Sequence, residues 1–170
     1  MRALVVFEPF AVLGGPIALA IAEGLGQAGG QSTAVEVGRA ADVVPASVDL
    51  LVVGVPARTR LPAVIGGDLA PVQTVRQWLS YAAPARPGTA AAAYDLRGRG
   101  PGDVVVRLDS TAVPTEKALR RAGFRTIEHA EHFVCPADPA SALAHAELVR
   151  ARAWGRRLAA AAAPVHAHRN

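Results

Sequence analysis

The amino-acid sequence predicts an α/β fold built on a parallel sheet that helices cover on both faces. Three observations carry this. Short apolar runs recur along the chain, helical spacing recurs between them, and 51% of the 170 residues are hydrophobic against 19% charged. Strands buried on both faces require the first pattern, and helices crossing back over a parallel sheet supply the second. Length and composition fit one folded domain, expected over 1–163, with a mobile tail at 164–170.

The elements follow in order. Residues 2–7 read as a buried strand, short, apolar and partly β-branched. After a loop from Glu8 to Gly15, Pro16 suits the first turn of a helix, where its missing N–H is no loss. Ile17, Ile21 and Leu25 recur at four-residue spacing, and Gly29-Gly30 stops that helix. Gln31 to Val37 and Val48 to Val53 read as the second and third strands. A loop over 54–70 precedes helical spacing at Val72, Val75 and Leu79. Thr89 to Ala93 reads as a small-residue strand, followed by a loop from Tyr94 to Asp103. Val104 to Leu108 fits either a strand extension or a loop packed on the core. Thr115 to Ala122 is helical and ends at Gly123. Phe124 to Cys135 is the last strand region, interrupted near Glu128-His129, and Ser141 to Ala163 forms a closing helix.

Composition narrows the function classes. The N-terminal apolar run, Ala3 to Phe7, is too short for a membrane span or a signal core. A single cysteine, Cys135, permits no internal disulfide and fits a reducing, cytoplasmic compartment. The net charge is +4, and every basic residue but Lys117 is arginine. The arginines are scattered with no aromatic-basic stripe, so neither nucleic acid nor membrane is an expected partner. A mildly basic surface favours an anionic small molecule or an acidic protein partner, and a homodimer stays open. No Ser-His-Asp signature, Walker loop or Cys-Cys zinc spacing occurs, so no metal is expected and enzymatic activity stays open.

Five segments resemble the flavodoxins, particularly the short flavodoxin-like proteins of high-GC bacteria. They are Ala3 to Glu8 (ALVVFE), Ala18 to Leu25 (ALAIAEGL), Asp49 to Pro56 (DLLVVGVP), Arg120 to Phe124 (RRAGF) and Ala151 to Leu158 (ARAWGRRL). The resemblance runs nearly end to end and implies a three-layer sandwich with a five-stranded parallel sheet in the order 2-1-3-4-5. It also implies FMN and electron transfer as the family's activity. In that family the loop after the first strand is a hydroxyl- and glycine-rich cradle that encloses the FMN phosphate at a helix N-terminus.

Here the corresponding residues are Pro9, Phe10, Ala11, Val12, Leu13 and Gly14, without a hydroxyl. Pro9 lacks an N–H, and hydrogen bonds to a charged group contribute about 1.5–3 kcal/mol each. Gly14 and Gly15 still offer N–H groups to an anion. The second loop, Gly54 to Ala70, has no aromatic residue to stack on a flavin, whereas the third keeps a family-like Tyr94-Asp95-Leu96-Arg97. A resident cofactor is therefore not expected, FMN being the alternative.

The altered cleft reads as an apolar wall with a basic rim. Phe10, Val12 and Leu13, with Gly14 and Gly15, form the wall and the loop beneath it. Arg58, Thr59, Arg60, Tyr94 and Arg99 complete a candidate site for an anionic, partly apolar small molecule. Glu8, Asp95 and Arg97 are the candidate catalytic residues. Glu8 serves as a general base, caps a helix or pairs with Arg97, and Asp95 with Arg97 equally makes a loop-bracing ion pair. His129 and His132 read as solvated or core-edge residues. Three functions follow: an enzyme or binder with a remodelled cleft, for instance in specialised metabolism; an FMN electron carrier; and a non-catalytic module using Phe10 to Leu13 as an apolar contact.

Overall fold

A computed structural model describes residues 1–10, 13–57, 74–98 and 110–163. The strands are β1 (Arg2–Phe7), β2 (Gln31–Glu36), β3 (Val43–Val44), β4 (Leu50–Pro56), β5 (Ala83–Pro84), β6 (Ala90–Gly98), β7 (Arg125–Thr126) and β8 (Glu131–Cys135). The helices are α1 (Gly14–Gln27), α2 (Val75–Leu79), α3 (Ala112–Arg121) and α4 (Ala142–Ala162).

The main sheet is parallel, in the order β2-β1-β4-β6, with β7 and β8 both paired to β6. β7 lies against Ala90 and Ala91, whereas β8 lies against Tyr94 to Gly98. The two segments therefore share the fifth position, interrupted where the sequence placed the break. This is the expected order, 2-1-3-4-5. β3 and β5 form a small second sheet that the sequence did not announce.

Side chains alternate between two cores, as strands with helices on both faces require. Val5, Leu50, Val52, Ala92 and Phe133 pack under α1 and α4 through Ile17, Ile21, Leu25, Trp154 and Leu158. Val6, Leu51, Val53, Ala91 and Ala93 pack under α2 and α3 through Val75, Trp78 and Leu119. α1 and α4 cross at their glycines. A Cβ on Gly24 would run into the Arg152 carbonyl, and one on Gly155 into the Ile21 carbonyl. Backbone-to-backbone approach of this kind is possible only without side chains.

Three elements differ from expectation, and all three shape the crevice. β6 continues through Tyr94 to Gly98, because Tyr94 to Leu96 pair with β4 on one side and Tyr94 to Gly98 pair with β8 on the other. α1 starts at Gly14 and α3 at Ala112; Pro16 lies in the first turn of α1, as expected, whereas Thr115 lies inside α3 instead of opening it. The undecided segment Val104 to Leu108, Val72 and the tail 164–170 lie outside the described residues. Among the described residues, no helix is long and apolar enough to cross a membrane.

Candidate functional site

In an open parallel sheet the ligand crevice lies outside the carboxyl ends of the strands. Here β1, β4, β6 and β8 bring Glu8, Pro56, Asp95, Arg97 and His132 to that end. Val12, Arg58, Thr59, Arg60 and Arg99 lie outside the described residues.

The first loop is folded onto the protein itself. Leu13 was expected on a ligand wall, but it is buried in the α1 core. Starting α1 at Gly14 places Leu13 one turn before Ile17, which extends the stripe Ile17–Ile21–Leu25. Phe10 is half-buried against the same core, and a Cβ on Gly98 would lie 3.7 Å from its ring. The loop side chain thus reaches over β4 to the end of β6. Phe10 is also the one aromatic residue at this end that is not buried. The other non-buried aromatic, Tyr81, follows α2.

The start of α1 has few donors left for an anion. Its N-cap, Leu13, makes no side-chain cap. Gly14 N already donates to Phe10 O at 2.9 Å, and Pro16 has no N–H. In the first three helical positions only Gly15 N remains for a ligand, where a phosphate site normally presents several. The surroundings of Gly15 are open. These residues do not fit the dianionic phosphate of FMN in the manner the resemblance implied.

Tyr94 also departs from expectation. With β6 extended, its side chain takes the α1–α4 face and is fully buried. Its ring makes edge contacts with Phe133 and Trp154, at centroid distances of 5.7 and 5.9 Å. It lies across Gly54, where any Cβ would overlap the ring. The hydroxyl has no hydrogen-bond partner among the described residues.

Asp95, the next residue, faces the opposite side and is saturated. It is fully buried and accepts from Arg97 Nε at 3.2 Å, Ser110 Oγ at 3.0 Å, Thr111 N at 3.0 Å and Ala112 N at 3.2 Å. His132 Nδ1 lies 2.7 Å from the same carboxylate. Asp95 therefore caps α3 from outside the helix and braces Arg97, as one of the two sequence readings held. A neutral His132 donating Nδ1–H and an imidazolium both satisfy this contact. In either state Nε2 is the ring atom left to take or give a proton, and the side chain is 36% exposed. Glu8 is a helix cap in turn: its Oε1 accepts from Val75 N at 2.7 Å, beside the reciprocal Thr74–Gln77 capping box of α2.

The three candidate catalytic residues thus divide. Asp95 and Arg97 meet, while Glu8 serves a different helix. Sequence reading missed the partners Ser110, Thr111 and His132. A Ser-Thr pair before an apolar run is an N-cap signal that would have found the first two. His132 needed the β6–β8 register, which sets it opposite Asp95.

Between α2 and α3 the crevice opens into a cavity of about 380 Å³, lined by Glu8, Pro56, Arg76, Thr111, Thr115 and Arg121 among others. A larger one, about 830 Å³, lies at the amino ends of the strands beside Met1, Asp49 and the alanines ending α4. Asp49 there is held by Arg2 N and Arg86. The smaller cavity is the better candidate because it stands at the sheet's ligand end and is lined by both Arg76 and Arg121, neither with a carboxylate partner among the described residues.

No protein-family model matches the chain, and no curated protein matches it. Solved structures do match in fold. A flavodoxin from the domain Archaea aligns with a TM-score of 0.63 at 11% identity, covering 95% of this chain and 99% of that one. Flavodoxin 1 from Bacillus cereus gives 0.63 at 10% identity, covering 93% and 97%. The flavodoxin of Streptococcus pneumonia TIGR4 gives 0.62 at 15% identity, covering 94% and 99%. At such identities the likeness speaks for architecture alone. The chain has the flavodoxin-like fold.

Proposed function

We propose that this flavodoxin-fold protein does not hold FMN through the loop after β1, and that its crevice takes a small, anionic, partly apolar molecule instead. The observation that carries the reading is the start of α1. Gly14 N is bound to Phe10 O, Pro16 has no N–H, and no side chain caps the turn. Removing two or three charge-assisted hydrogen bonds weakens phosphate binding by orders of magnitude, at about 1.5–3 kcal/mol each. Phe10 reaching across to Gly98 supports the same reading, since it fills part of the opening between loops. Asp95 fixing His132 Nδ1 equips the neighbouring rim for proton transfer at Nε2, which is the feature on which an enzymatic role would rest.

The test is the visible spectrum of the purified protein together with a flavin fluorescence titration. Colourless protein that leaves FMN fluorescence unchanged is the expected result. Yellow protein retaining stoichiometric FMN after dialysis would overturn the reading and restore an electron carrier.

A further inference from the structure

We infer that the anionic group of the ligand is taken by Arg76 and Arg121 in the groove between α2 and α3, away from the start of α1. The inference rests on the reading above that the crevice holds a small anion. Two conditions together select these residues: each lacks a carboxylate partner among the described residues, as Arg39 and Arg125 also do, and both line one cavity at the ligand end of the sheet. Arg86 meets Asp49, Arg97 meets Asp95, Arg120 meets Glu116, Arg150 meets Glu147, Arg152 meets Glu23 and Arg157 meets Glu131. Arg76 and Arg121 have no carboxylate partner among the described residues, yet both line the same cavity of about 380 Å³. Both also line an adjoining hollow of about 490 Å³, so they stand at the waist of one groove.

The remaining walls define the ligand. Thr111 Oγ1 donates to Pro56 O and Thr115 Oγ1 to Thr111 O, so neither hydroxyl has a hydrogen left to give an anion. The guanidiniums are the donors, and two of them match a carboxylate or phosphate monoester. Val55, Pro56, Pro114 and Ala118 offer an apolar bed beside them. Glu8 also lines the cavity, where its Oε1 already accepts from Val75 N. The class is therefore a small oxyanion with an apolar body.

The experiment titrates the isotope-labelled full chain with phenyl phosphate and, separately, with benzoate, following backbone amides. Saturable shifts centred on Val75 to Trp78 and Ala118 to Arg121 are expected, and the stronger of the two probes names the oxyanion. Arg76→Ala and Arg121→Ala, both exposed and without an ion pair among the described residues, each weaken binding about tenfold. The double variant abolishes it. Glu8→Gln still accepts from Val75 N but removes a negative charge, and tightens binding of both probes. Shifts centred on Gly14 and Gly15, absence of saturable binding, or affinity indifferent to both arginine variants each overturn the inference. FMN run in parallel separates the two failures. Stoichiometric FMN binding defeats the proposed function, whereas colourless protein with indifferent arginines defeats only this assignment.

Discussion

α1 and α3 begin at the same end of the sheet with the same covalent plan, and their first turns are finished in opposite ways. Each has a proline at its third helical position, Pro16 and Pro114, and each N-cap residue, Leu13 and Thr111, leaves its own side chain out of the cap. At α3 a buried carboxylate from the neighbouring strand takes Thr111 N and Ala112 N, and Ser110 Oγ takes Val113 N. At α1 no carboxylate arrives from the described residues. The loop carbonyl of Phe10 takes Gly14 N, and a core leucine stands where a capping hydroxyl would. A helix start can thus be closed to outside anions by filling it with an internal charge or by depleting its donors. The crevice uses both, so its two helix starts offer few backbone donors.

The largest expected effect breaks the α3 half of the comparison. Asp95→Ala removes the acceptor of five contacts in a fully buried position and strands Arg97, His132 and two helix N–H groups. Breaking a buried, hydrogen-bonded charge costs about 3–5 kcal/mol, measured here as urea unfolding stability at pH 7. Amide exchange should rise at Thr111 and Ala112 while Gly14 is unchanged, because α1 has no share in that carboxylate. A loss below about 1 kcal/mol would show that Asp95 is not what holds α3 in place.

The second prediction asks what holds α1, whose cap is weak. Its anchor is the crossing with α4, where Gly24 meets the Arg152 carbonyl. Gly24→Ala gains helix propensity in isolation, yet its Cβ meets backbone that cannot rotate away. Overpacking of this kind costs about 1–3 kcal/mol. Thermal unfolding checks it, and a neutral or stabilising outcome would mean that α1 and α4 separate at low cost.

Much of this architecture was legible in sequence, and the illegible part has a common cause. β1 and β4 stood out because strands buried on both faces are continuously apolar. The strand order came with the resemblance. Both helices start earlier than the sequence places them: α1 opens two residues before Pro16, which still falls in its first turn, and α3 opens three residues before Thr115. One misplaced boundary then propagated: Leu13 went to the ligand wall instead of the core. Ending β6 at Ala93 likewise hid the alternation that sends Tyr94 inward and Asp95 to α3. The Asp95–His132 contact spans 37 residues and depends on strand register, which no local pattern encodes. Arg76 and Arg121 were passed over because helical arginines carry no loop signature.

The smallest effect sharpens the contrast at adjacent residues of β6. Asp95 is saturated on the α3 side, while Tyr94 Oη is buried on the α1 side without a partner among the described residues. An unsatisfied buried hydroxyl costs stability, so Tyr94→Phe should raise it by about 1 kcal/mol while keeping the ring contacts with Phe133 and Trp154. Burial, with Cys135 adding to it, pushes the Tyr94 hydroxyl above the ordinary phenol range. A group whose pKa is raised on folding stabilises fully below its unfolded value, about 10 for tyrosine, and loses that contribution as pH rises further. Burial, and then Glu147, also pushes the Cys135 thiol up to about 12, but that loss is common to both proteins. Wild type should therefore lose more stability than Tyr94→Phe between pH 10 and 11 in matched urea titrations. If the variant is instead less stable at pH 7, the hydroxyl has a partner in solution, and the two sides of β6 are equally satisfied.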